Sequence, residues 1–257
     1  MSARQIKFLY KKTTGNRPWS SKIIKVLAVC AASLFIATYA CAQDSTFCIA
    51  KDGRTATIVV DGQDWKGVIR AAKDLGDDIG KVTGKADSVM TAGDAQQIPH
   101  GSIIIGTIGK SKLIDRLVRQ KKRDTGKVRG QWESFVIDIA DGNLVVAGSD
   151  KRGTIYGIYT ISEHIGVSPW YWWADVPVRQ QSCLYWDKGR FVQPSPKVKY
   201  RGIFINDEWP SFGGWATEHF GGLNSKMYAH LVRASAASEG QLPVARHVGY
   251  GLQRRRC

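Results

Sequence analysis

The chain has 257 residues, with 37 Lys and Arg against 22 Asp and Glu and a formal net charge of +15. With 43% apolar and 10% aromatic residues it holds enough apolar surface for a core, which excludes wholesale disorder. Eleven of the fifteen charges sit at the two ends, seven in residues 1–42 and four beyond Tyr228, so the body is near neutral and a nucleic-acid binder is disfavoured.

In chain order, Arg4, Lys7, Lys11, Lys12, Arg17, Lys22 and Lys25 come first, without an acid. The apolar run Val26–Ala42 follows and ends in Ala40-Cys41-Ala42, a small-x-small cleavage pattern. Residues 1–42 therefore read as a secretory signal peptide, and the mature protein as secreted or periplasmic. At 17 residues the run is at the short limit for crossing a bilayer, so a membrane role arises only if the segment stays uncleaved. Cys48 and Cys183 either pair or stand as free thiols. With no CxxC and no His/Cys cluster, no metal and no cofactor is expected.

Thr55–Val60 is a β-branched run and predicts a strand. Trp65, Val68, Ile69, Ala72, Leu75, Ile79 and Val82 recur at steps of three and four, the apolar face of a helix that Gly84 should end. Ser102–Thr107 predicts a buried strand and Lys110–Val118 a short helix. Between them, Gly106-Thr107-Ile108-Gly109 loosely suggests phosphate binding, but a tight strand-to-helix turn explains it as well. Trp132–Ile139 and Leu144–Ala147 flank Asp141-Gly142-Asn143, a hairpin expected on the sheet edge. Ser149 and Asp150 offer N-caps for a helix whose face is Ile155, Ile158, Tyr159, Ser162 and Ile165, with Gly166 at its end. The class is α/β: an N-terminal mixed-sheet domain over residues 43–196.

Ser168–Asp175 packs Trp170, Tyr171, Trp172 and Trp173 into eight residues. Such a cluster is either an apolar connection wedged between domains or a sugar-stacking wall. Pro177, Pro194 and Pro196 punctuate a linker, and Val198–Ile205 predicts a new strand. Asn206, Asp207 and Glu208 follow it at once, where a (β/α)-barrel carries its active-site loops, though a solvated turn also looks like this. Glu218 and His219 read as solvated surface.

Gly148–Val178 and Tyr200–Pro210 (YRGIFINDEWP) resemble the N-terminal part of glycoside hydrolase family 115, and the likeness runs from about Thr55 to Tyr228. The resemblance implies a secreted xylan α-1,2-glucuronidase that removes (4-O-methyl)glucuronic acid branches, acting on xylan or glucuronoxylan oligosaccharides. It implies an N-terminal α/β domain, a TIM barrel with the active site, a helical domain and a β-sandwich. Residues 197–230 correspond to the first strand of that barrel, here truncated. It also implies inverting hydrolysis, in which one carboxylic acid protonates the leaving oxygen while a carboxylate about 6.5–9.5 Å away activates water. On this reading Asn206, Asp207 and Glu208 contact substrate, and the general acid and base are not identified.

Leu231–Cys257 departs from the family, shows no helical periodicity and ends in three Arg before the last residue. Codons for this tail can be chosen so that reading one nucleotide later restores a leucine-spaced helix, a Trp-containing strand and an acidic loop. The expectation is a frameshift near His230 and a fragment inactive by itself. The alternative is a carbohydrate-binding or accessory α/β domain without catalysis.

Overall fold

The computed structural model describes residues 46–85, 89–92, 97–120, 125–171, 176–206, 208–238 and the strand 244–246. All belong to the second of the two units into which the chain divides, Met1–Gln43 and Asp44–Cys257. The expected leader over residues 1–42, Trp172, Trp173, Asp207 and the last eleven residues lie outside the described residues.

The strands are β1 (Phe47–Lys51), β2 (Arg54–Thr55), β3 (Ile58–Asp61), β4 (Val89–Ala92), β5 (Ile103–Thr107), β6 (Phe135–Ala140), β7 (Asn143–Gly148), β8 (Leu184–Trp186), β9 (Phe191–Gln193), β10 (Phe204–Asn206) and β11 (Val244–Arg246). The described helices are α1 (Lys66–Thr83), α2 (Lys112–Arg119), α3 (Lys151–His164), α4 (Ser211–Phe220) and α5 (Ser225–Ala237). Six strands form the main sheet in the order β4-β3-β5-β7-β6-β9. β4, β3, β5 and β7 pair in parallel, while β6 is antiparallel to both of its neighbours.

Successive residues of the central strands point to opposite faces, and each face has its own helical cover. Ile58, Val60, Ile103, Ile105, Ile137 and Val146 share one cluster with Val68, Leu75 and Ile79 of α1 and Ile158 and Ile161 of α3. Val59 meets Leu113 of α2 on the other face, and Ile104, Val136 and Val145 meet Ile114. The apolar face of α1 is buried as its spacing predicts, except for Ile69, which is partly buried, and Trp65, which is 46% exposed. Trp65 is the N-cap, with extended backbone at ψ 136°, so its side chain falls outside the helical phase.

At the hairpin, Asp141 (φ 47°) and Gly142 (φ 72°) form a two-residue turn with Ala140 opposite Asn143. Positive φ at both central residues is the geometry that a right-handed strand twist selects. The hairpin is not at the edge, because Phe191–Gln193 pairs with Phe135–Ile137 outside it. A three-residue strand is too short to show alternation in sequence. Entry into α3 is fixed by Asp150, whose Oδ1 accepts the Gly153 N–H at 2.7 Å and whose Oδ2 accepts the Glu133 N–H at 2.9 Å. A Cβ on Gly153 would stand 2.3 Å from the Ser134 carbonyl oxygen, so only glycine lets this turn approach the sheet.

The strand expected over Val198–Ile205 is far shorter, beginning only at Phe204 and pairing in parallel with β11. The residues before it have no regular structure and are held by side chains instead. The Ser195 hydroxyl donates to the Trp132 carbonyl at 2.6 Å, and Arg201 donates to Glu133 at 2.9 Å. Helix α5 is capped by Asn224, which accepts the N–H groups of Lys226 and Met227. It continues through Leu231 and Ala234, both buried, into the stretch whose sequence lacks helical spacing. Arg233 carries that extension, because it reaches Asp78 of α1 at 2.6 Å.

Candidate functional site

Strand β10 delivers Asn206 and, two residues on, Glu208 to its C-terminal end. Asn206 is half-buried, and its Nδ2 donates to Glu208 Oε1 at 3.2 Å. Its Oδ1 is buried without a hydrogen-bond partner among the described residues. The Glu208 carboxylate is exposed, so Asn206 orients it without withdrawing it from solvent. Trp209, 66% exposed, lays its ring over Gly213, where a Cβ would come within 2.5 Å of Cε2. Along α4, Trp215 stacks on Phe212 at 6.0 Å and on His219 at 5.0 Å between ring centroids. A flat aromatic face beside an amide and a carboxylate suits sugar, offering CH–π contact together with hydroxyl hydrogen bonds. Two of the three expected residues thus meet in one place, while Asp207 lies outside the described residues.

A second group of side chains, missed in the sequence, holds the approach to this strand. Glu133, 1% exposed, receives Arg152 at 2.9 Å on one carboxylate oxygen and Arg201 at 2.9 Å on the other. Arg201 also lies over the Trp132 ring at 6.0 Å. Glu133 sits at φ 51°, a strained conformation for a non-glycine residue that its bonds must offset. Burial, with the Glu133 charge adding to it, pushes the Tyr156 phenol up to about 12. The only sequence signals were a carboxylate at the foot of a strand and an Arg three residues before Phe204. Neither predicts the other across 68 positions.

A third cluster docks α5. Arg233 contacts Asp78 at 2.6 Å and Asp74 at 3.8 Å, and the Tyr159 hydroxyl donates to Asp74 at 2.7 Å. Burial and the Asp74 charge hold the Tyr159 phenol well above its usual range.

The turn at Gly106–Gly109 is a structural turn. The amides that could cradle a phosphate already have partners: Thr107 N–H donates to Asp64, Gly109 N–H to Asp115 and Lys112 N–H to Asp61, at 2.7–2.8 Å. Three carboxylates there repel an anion, and burial raises the Asp64 pKa despite its backbone donors. Among the aromatics of the linker, Trp170 is 45% exposed and Tyr171 lies under the Lys81 ammonium at 5.2 Å. Cys48 and Cys183 are free thiols. Glu218 and His219 are exposed. Among the described residues no helix is long and apolar enough to cross a membrane.

The family model for glycosyl hydrolase family 115 matches residues 193–235, the linker, β10, α4 and most of α5. Among solved structures, the chain is similar to a family GH115 4-O-methyl-α-glucuronidase, BtGH115A, with specificity for decorated arabinogalactans. That likeness has 31% identity and a TM-score of 0.65 and covers 77% of this chain and 26% of the other. The chain thus spans about a quarter of that relative's length. A mutant Streptomyces plicatus β-hexosaminidase aligns at 15% identity over 78% of this chain and 31% of its own, with a TM-score of 0.49. No protein of curated function matches in sequence.

Proposed function

As this chain belongs to glycosyl hydrolase family 115, we propose that it serves the removal of (4-O-methyl)glucuronic acid branches from xylan. The observation that carries this reading is the end of β10, where Asn206 and Glu208 stand within the matched segment 193–235. Asn206, Asp207 and Glu208 bind sugar hydroxyls there, and Trp209 offers the stacking face. The family reaction then proceeds with inversion. A carboxylic acid protonates the glycosidic oxygen as its bond to the anomeric carbon breaks. A second carboxylate takes a proton from water attacking the opposite face. Within this chain the end of β10 serves binding, and neither catalytic carboxylate is assigned to it. It works outside the cytoplasm, exported by the leader 1–42.

Retention of the chain on insoluble glucuronoxylan, with chromatographic assay of released uronic acid, tests the reading. Retention that weakens in Asn206→Ala and Glu208→Gln, with no uronic acid released, is the expected result. Release of glucuronic acid would overturn the binding-only role. Retention unchanged in both variants would overturn the site.

A further inference from the structure

The turn between β1 and β2 gathers cations that nothing else in the fold uses. Lys51 and Arg54 are direct cross-strand partners across Asp52 and Gly53. Like charges directly opposite each other on a ladder are destabilising, so this pairing is unfavourable unless an anion lies between them. Asp52 (φ 51°) and Gly53 (φ 73°) make the turn tight and hold both flanking residues at its base. Lys85, just past the end of α1, brings a third charge: its Nζ lies 3.1 Å from where a Gly53 Cβ would stand. Among the described residues none of these three cations forms an ion pair, and Asp52 is the only carboxylate in the lining.

These residues surround a pocket of about 260 Å³, walled on its far side by Thr83, Gln181 and Ser182. That wall is fixed, because Gln181 N–H donates to the Val82 carbonyl at 2.8 Å and its Nε2 to Ile165 at 3.2 Å. The volume lies at the small end of ligand pockets and fits about one sugar ring. Ammonium and guanidinium groups pair strongly with carboxylate, while Thr55, Gln181 and Ser182 offer partners for ring hydroxyls.

We propose that Lys51, Arg54 and Lys85 form a subsite for a uronic acid residue of the polysaccharide, the carboxylate lying between Lys51 and Arg54. This rests on the family reading for the choice of sugar, and the uronate can come from xylan or from an arabinogalactan. The subsite holds the chain on acidic stretches of polymer, whereas the end of β10 binds sugar hydroxyls irrespective of charge.

Two-dimensional amide NMR of the labelled full chain separates the two sites. The probes are a xylo-oligosaccharide with one 4-O-methylglucuronic acid branch, its carboxyl-reduced counterpart, and a glucuronic-acid-bearing arabinogalactan oligosaccharide. The acidic probes should shift the amides of Lys51–Arg54 and Lys85, and the reduced probe should not. Lys51→Ala/Arg54→Ala should weaken that response at least tenfold and leave the melting temperature of the unliganded chain unchanged or slightly raised. Shifts at 52–54 that persist with the reduced probe or in the double variant would overturn the subsite, as would equal competition by inorganic sulfate. If shifts appear only around Asn206 and Glu208, the subsite fails and the family reading stands. If they appear only around the turn, the subsite stands and the binding role of the β10 end fails.

Discussion

Ile103–Thr107 and Phe204–Asn206 look alike in sequence, each a short apolar run with a polar residue at its C-terminal end. The first lies between two parallel neighbours, and all five of its residues are buried. The second has one partner among the described residues, and Phe204 is 58% exposed. Local sequence therefore sets the extended backbone in both, while neighbouring elements decide how much burial contributes. The same apolar signal is energetically large in the α/β sheet and small at β10. There the segment is held to the domain by Glu133 and Arg201, with little apolar burial of its own.

The contrast is most sharply tested by a pair of substitutions. Phe135, fully buried against Phe191 and the Gly157 turn of α3, should cost about 3–5 kcal/mol when truncated to alanine. Phe204→Ala should change stability by no more than about 0.5 kcal/mol. Equal losses in urea titrations would show that β10 is as well packed as the sheet. Next comes Glu133→Gln, which leaves Arg201 and Arg152 without their shared carboxylate and should cost about 2–3 kcal/mol. Its signature is regional: trypsin should cut after Lys197 or Lys199 faster in the variant before the sheet unfolds. Should cleavage there be unchanged, the ion pair is not what holds the segment.

Gly153→Ala forces a methyl to within 2.3 Å of the Ser134 carbonyl and should lose about 1–2 kcal/mol, seen as a lower thermal midpoint. The smallest effect is pH-dependent. Burial, then Arg233 and Arg70, lower the His230 pKa below its ordinary value of 6.5. A depressed folded value means that its stability contribution is complete above that ordinary value. It is lost as pH falls through the folded value, because the unfolded chain takes the proton first. Melting temperatures recorded from about pH 8 to about pH 5 should therefore fall less in His230→Phe than in the parent chain. Parallel curves would place the acid sensitivity elsewhere.

Elements whose signal is internal to a short window were legible in the sequence. The face of α1, the buried strand β5, the turn at Asp141–Gly142 and the Asp150 cap each depend on residues at most a few positions apart. Strands β1, β4, β8 and β9 were not legible, because three to five residues show no period and gain their identity from pairing with distant partners. Asn206 and Glu208 were singled out by their place after an apolar run, but the hydrogen bond between them needed coordinates. Glu133 with Arg201 and Asp78 with Arg233, separated by 68 and 155 positions, could not be paired from sequence at all.

The sequence by itself determined an α/β domain, its central apolar strands and the family likeness at Tyr200–Pro210, since periodicity and motif are written along the chain. Only the tertiary structure decided which charges are paired inside, which aromatics stay exposed, and that three cations share one turn pocket with a single carboxylate among the described residues. Burial and Coulomb energy depend on what surrounds a residue in space, and sequence order does not specify that.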